Sequence, residues 1–508
     1  MANIVTSSKA KPIQSPARVL TRHALILVVL ALATILLFAL ADRTLQVDPY
    51  EWLKTAEYLH QTGNSGFQHR NILFSYVLAI PLYLQLDAVS FGLLFSGISL
   101  LISAFLLYKI NLEHSSPTVS AYVSLLFVLS YPFLRYATQV FSDIPTVMFI
   151  VLMVYFHFRF VKHHKPLDLV LGYLTASLAV SMRYASGFFI FAFAYFMWVT
   201  RKYYKWHISG VLVALIPYIP QLIYNIQYMD NPIAVSYTSV HPIFGLQFFF
   251  KDLGSGHEFQ LPGYLRYMFL DFRGLFVLLT PIATLGMVKS FRRIGSPMAT
   301  YLVLFLTSFT LLLPFYAYFS NRYAIPAIIP CFIWLPIGVS EIGRLARRRT
   351  WQILYVATLA LLAYGMFEIS FQVIESSRSL HQLREQVFSS LDSVVKDGDI
   401  VYTLDSVAPY AQRYTSATPK TLGVSEVTPE MLQQHAGRDR YIVWTPKLST
   451  SEGGSWALSI DKVQDRLVQI STAQSGDVTE FLLYRVLRLL HLERFIPHEV
   501  WYVYKVMR

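Results

Sequence analysis

Residues 144–165 read IPTVMFIVLMVYFHFRFVKHHK: an apolar run to Phe160 broken by one charge, Arg159, and then the basic cluster Lys162-His163-His164-Lys165. In lipid, a run of that length satisfies its backbone N–H and C=O groups only as a helix. The cluster marks the inner end, because short loops retained inside a membrane carry the excess of Lys and Arg. Working outward, further apolar runs fall at 25–41, 90–110, 118–131, 167–181, 187–199, 208–224, 275–288, 298–319, 324–339 and 351–369. With the basic N-terminus (Lys9, Lys11, Arg18, Arg22) inside, these runs alternate out and in. The clusters at 201–205, 289–293 and 344–349 then all fall on the inner side with 162–165. A run at 72–86 is short and contains Pro81, so it reads as a helix lying in the interface. Counting it as a span would place every later cluster outside. The expectation is therefore a polytopic α-helical membrane protein of about 11 transmembrane helices.

Composition agrees. The chain of 508 residues is 55% hydrophobic and only 14% charged, against about 25% charged in soluble domains. A net charge of +12 would suit nucleic acid, but its confinement to short inter-helix clusters points to membrane lipids as the partner instead. The lone Cys331 excludes an intramolecular disulfide and a cysteine metal cluster. Ala39-Leu40-Ala41 resembles a signal-peptidase site, but the spans that follow favour a retained first helix.

Three regions result: a cytoplasmic tail at 1–23, a transmembrane domain at 24–370 with outer loops at 42–88 and 225–271, and a domain at 371–508 on the outer, extracytoplasmic side. In the last, 399–403 and 440–444 alternate like short strands, and 380–395 and 428–435 look helical. It reads as a small C-terminal α/β domain.

Charged groups near membrane depth are costly, which makes them functional candidates. In the first outer loop, Trp52, Ala56 and Leu59 follow Asp48 at helical spacing, so Asp48 opens an amphipathic helix with Pro49 at its first position. A simple N-cap is the plainer reading of Asp48. Ser142-Asp143-Ile144-Pro145 opens the fourth span, where capping again is an ordinary explanation. Arg183, in Met182-Arg183-Tyr184, ends the fifth span; snorkelling to the interface is its alternative. His257-Glu258 in the long outer loop invites a metal reading, but position 261 is Leu261, so the His-Glu-x-x-His spacing is missing. A divalent metal therefore has no support in the sequence, and no other cofactor is indicated. Glycine patterns of nucleotide sites and the Gly-x-Ser-x-Gly elbow are also missing.

Taken in order, these segments resemble the GT-C glycosyltransferases, in the protein O-mannosyltransferase and aminoarabinose transferase branch. Asp48 with Trp52 and Ala56 matches the first-loop motif; His69-Arg70 leads into the second, interfacial helix; Asp143 is the later acidic residue; and Arg322-Tyr323-Ala324-Ile325-Pro326 is similar to the late Arg-Tyr-x-x-Pro segment. The chain departs where many relatives carry Asp-Glu and it has Asp48-Pro49, with Glu51 three positions on. It also has Asn71-Ile72 in place of a Pro-rich entry.

The resemblance implies transfer of a sugar from a polyprenyl-phosphate donor to a glycan, lipid or protein acceptor at the outer face of the cell membrane, with inversion at the anomeric carbon. It implies Asp48 as general base, Asp143 as a second catalytic carboxylate, and Arg70, Arg183 and Arg322 as ligands of the donor phosphate. Glu51, His69, Tyr184, His257, Glu258 and Tyr323 are the substrate-loop candidates. The competing reading is a transporter or flippase of lipid-linked sugars. It calls for an internal repeat and broken helices at the midplane, and the sequence displays neither.

Overall fold

The computed structural model describes residues 16–43, 47–64, 71–228, 250–252, 257–259, 275–312, 321–345, 349–404, 415–416, 418–422, 439–444, 448–449, 455–456, 467–474 and 500–506. Fifteen α-helices lie among them. The first six are α1 (Pro16–Leu40), α2 (Val47–Thr62), α3 (Ile72–Tyr83), α4 (Ala88–Asn111), α5 (Pro117–Leu129) and α6 (Tyr131–Ala137). Then come α7 (Asp143–His163), α8 (Pro166–Met182), α9 (Ile190–Val199), α10 (Tyr204–Leu215) and α11 (Ile219–Tyr228). Last are α12 (Leu275–Arg293), α13 (Ser296–Leu312), α14 (Ile329–Leu345) and α15 (Arg349–Asp392).

Each apolar run of the sequence coincides with a helix, but the helices are more broken than the runs. Among the described residues, five stretches are long and apolar enough to cross a membrane: His23–Leu40, Ala88–Asn111, Asp143–His163, Arg201–Tyr228 and Arg322–Leu345. A sixth follows if Pro117–Leu129 and Tyr131–Ala137, bent by 62°, form one span. The expected eleven is not reached among the described residues, where the other apolar helices are only 10–17 residues long. The cause is local. Arg183 is extended (φ −153°) and is followed by a 3-10 turn, Tyr184–Phe189, which shortens the helix at 187–199. Ile72–Tyr83 is a 12-residue helix containing Pro81, as its sequence suggests.

The basic clusters double as helix ends. Lys162 and His163 occupy the last turn of α7, and Arg292 and Arg293 that of α12, where positive charge complements the helix dipole. One face of α1 leaves Leu27, Val28, Leu32, Ile35 and Phe38 exposed, the pattern of a lipid-facing helix.

Strands β1 (Phe250–Asp252) and β2 (His257–Phe259) form one pair, and β6 (Leu448–Ser449) and β7 (Ser455–Trp456) another, while β3 (Ile400–Leu404), β4 (Thr418–Leu422), β5 (Arg440–Trp444), β8 (Leu467–Gln474) and β9 (Val500–Val506) form one sheet in the order β4-β3-β5-β9-β8. Strand β3 runs parallel to β4 and β5, while β9 is antiparallel to β5 and β8. The strands expected at 399–403 and 440–444 are thus present; 428–435 lies outside the described residues. The division at residue 370 is bridged by α15, which continues for 44 residues and buries Leu383, Val387, Phe388 and Leu391 near its end.

Candidate active site

The structured start of α7 is the centre of the site. Asp143 is its first residue, and the preceding Ser142 makes no side-chain cap hydrogen bond. Asp143 instead forms an ion pair with Arg183, the residue that breaks the chain after α8. Their side chains are 2% and 11% exposed. The Arg183 guanidinium lies over the Tyr323 ring, 4.6 Å from its centroid. Arg322 lies 5.5 Å from the Phe141 ring centre and 5.9 Å from that of Tyr323. These groups border a narrow cleft, whose polar lining is Asp143, Thr146, Arg183, Ser186, Arg322 and Tyr323. Two guanidinium forks, one carboxylate and three hydroxyl side chains suit an anion carrying a polar substituent.

Helix α2 packs beside this cleft. Trp52, Leu53, Ala56 and Leu59 are buried against Phe74, Leu78 and Ala79 of α3 and against Val140 and Phe141. Trp52 meets Phe74 edge-on at 5.0 Å and Phe141 at 6.2 Å, so one ring, Phe141, touches both the α2 anchor and Arg322. The helix starts at Val47, one residue earlier than the sequence reading has it. Asp48 and Pro49 therefore both lie in its first turn, one turn ahead of Trp52. The Asp48 side chain lies outside the described residues.

Of the remaining candidates, Arg183, Arg322, Tyr323 and Asp143 are brought together. His69 and Arg70 lie outside the described residues. Their neighbour Asn71 donates from Nδ2 to the carbonyls of Val180 (3.1 Å) and Ser181 (3.2 Å), close in sequence to Arg183. Glu51 is half-buried on α2. Tyr184 follows Arg183 but is not part of the cleft lining. His257 and Glu258 sit on β2 (His257–Phe259), paired with β1 (Phe250–Asp252), and their side chains lie outside the described residues.

Sequence reading missed Thr146 and Ser186, although each follows a chosen residue by three positions, the spacing that shares a helical face. It also missed a buried polar group behind the 138–142 loop. Asp42 is 3% exposed, accepts a hydrogen bond from Gln139 Nε2 at 3.0 Å, and donates its N–H to the Thr138 carbonyl at 2.8 Å. Arg135, also buried, donates to the Tyr131 hydroxyl. For Arg135, a charge in the aromatic stretch 131–136 was the available signal.

Residues 69–224 match the family model for dolichyl-phosphate-mannose-protein mannosyltransferase. The fold is similar to that of ArnT from Cupriavidus metallidurans bound to undecaprenyl phosphate, at a TM-score of 0.55 and 12% identity over 85% of this chain and 97% of that one. It is similar also to the Archaeoglobus fulgidus oligosaccharyltransferase in its apo form, at 0.58 and 10% identity over 85% of this chain and 70% of that one. The mycobacterial arabinofuranosyltransferase AftD matches at 0.51 and 12% identity, covering 96% of this chain and 42% of AftD. No curated protein matches the sequence at a significant level. Identities this low speak to the fold, and the family match covers the segment that carries Asp143 and Arg183. In fold the chain is thus similar to these membrane glycosyltransferases, and its residues 69–224 match the mannosyltransferase family model.

Proposed function

We propose that the protein transfers a sugar from a polyprenyl-phosphate donor to an acceptor at the extracytoplasmic face of the membrane, with inversion at the anomeric carbon. The observation that carries this reading is the cleft where Arg183 and Arg322 share the Tyr323 ring beside Asp143. In the reaction, the acceptor nucleophile bonds to the anomeric carbon as the bond from that carbon to the phosphate oxygen breaks. The electron pair leaves with the phosphate, and Arg183 and Arg322 stabilise the charge that develops there. Arg70 is the third ligand in this scheme. Asp48 takes the acceptor's proton, and Asp143 orients the acceptor. The solved ArnT complex with undecaprenyl phosphate supports the choice of donor class.

The same reading takes all eleven apolar helices as crossings and sets the sheet domain outside, over the mouth of the cleft. The decisive experiment is to purify Asp48→Asn and assay transfer from polyprenyl-phosphate sugars. Loss of a general base lowers the rate by about 10²–10⁴-fold, and full activity in this variant would falsify the assignment.

A further inference from the structure

We propose that the Asp143–Arg183 pair is a latch that donor phosphate opens. Arg183 passes from carboxylate to phosphate, and Asp143 is released to the acceptor. This rests on the cleft being the phosphate site.

The pair is almost enclosed, so neither member can give up the other without a replacement: an unpaired charge in a low-dielectric setting is strongly unfavourable. Phosphate is such a replacement for Arg183. It offers several oxygens to the guanidinium fork, and Arg183 is already held in place over the Tyr323 ring at 4.6 Å. The exchange is also graded along the reaction. A sugar phosphodiester carries one negative charge, whereas the departing phosphate monoester carries about −1.5 to −2. Arg183 is therefore drawn further from Asp143 as the glycosidic bond breaks.

Asp143 has a second source of stabilisation once Arg183 is gone. It stands at the first position of α7, a helix of 21 residues, where the backbone dipole favours negative charge. Its Oδ1 has no hydrogen-bond partner among the described residues, which leaves an acceptor atom for the hydroxyl or amine of the incoming nucleophile. Donor binding thus prepares the carboxylate that orients the acceptor, and productive binding is ordered, donor first.

The test needs no knowledge of the acceptor. Binding of undecaprenyl phosphate to the purified full-length protein in nanodiscs is measured for wild type, Asp143→Asn, Arg183→Gln, Arg322→Gln and the Asp143→Asn/Arg183→Gln double variant. Folding of each is checked by its elution profile, and Asp143→Ser replaces Asp143→Asn if the latter does not fold. A latch makes Asp143→Asn bind about tenfold tighter than wild type, since the competing carboxylate is gone. Arg183→Gln binds about tenfold weaker, and the double variant gains nothing over Arg183→Gln. Unchanged or weaker binding in the Asp143 variant, with Arg183→Gln still weakened, overturns the latch and leaves the phosphate site standing. Equal binding by wild type, Arg183→Gln and Arg322→Gln overturns the phosphate site itself, and the latch with it.

Discussion

Pro336 lacks the N–H that would serve the Phe332 carbonyl one turn earlier in α14. Asn111 repairs the gap by donating from Nδ2 to that carbonyl at 3.1 Å, and His114 Nε2 meets the next one, Ile333, at 3.3 Å. Asn111→Ala leaves a buried carbonyl unsatisfied, a loss of about 1–3 kcal/mol, to be read from the thermal midpoint in detergent. Burial holds the His114 pKa down at about 4, against the opposing pull of the Ile333 carbonyl and Glu113; Arg293 adds to the depression. The unfolded chain, with histidine near 6.5, therefore takes up a proton first as pH falls. The His114 contribution is complete above pH 6.5 and is lost as pH drops toward 4. His114→Gln should flatten that part of a stability-against-pH curve; an unchanged slope would reject the assignment. Arg322 gives a third residue-level prediction. Arg322→Lys keeps the charge but loses the planar contact with Phe141 and Tyr323, and transfer should fall by about tenfold. A variant as active as wild type would show that charge alone suffices.

At the level of elements, the crossing of α12 and α14 is set by two glycines. A Cβ on Gly286 would lie 2.0 Å from the Trp334 carbonyl oxygen, and one on Gly338 would lie 2.0 Å from that of Ile282. The obstruction is backbone on both sides, so no side chain can move to relieve it. Gly338→Ala should destabilise the protein by about 1–3 kcal/mol or more, whereas Gly365→Ala, with open space around it, should not; equal melting of both variants would contradict this packing. The sequence displays both glycines inside apolar runs but not the partner each one approaches. The same limit applies to Arg183. An arginine at the end of an apolar run reads equally as a snorkelling group or a ligand, and only its pairing with a residue 40 positions away separates the two. In α15 the failure runs the other way. The composition changes near residue 370, yet no proline interrupts 349–392, and the helix continues for about 66 Å at 1.5 Å per residue.

On the scale of the whole molecule, the inside–outside assignment has a direct check. In a chain with Cys331 replaced, single cysteines at Lys202 and Ser416 should label with impermeant reagents from opposite faces of the membrane. Labelling of both from one face would overturn the topology. The sequence supports a proposed topology because charge distribution and hydropathy are properties of single segments in lipid, independent of how the helices pack. Helix positions, the strands at 400–404 and 440–444, and the acidic and basic residues at the ends of helices follow from such local patterns. The cleft does not. Asp143 joins Arg183, and Arg322 stacks on Phe141 and Tyr323, because α7, the turn after α8 and the 3-10 segment Asn321–Ile328 meet in space. The local sequence offers each of these residues a cap or an interfacial role of similar energy. Contact between distant segments decides among those roles, and it exists only once the bundle has closed.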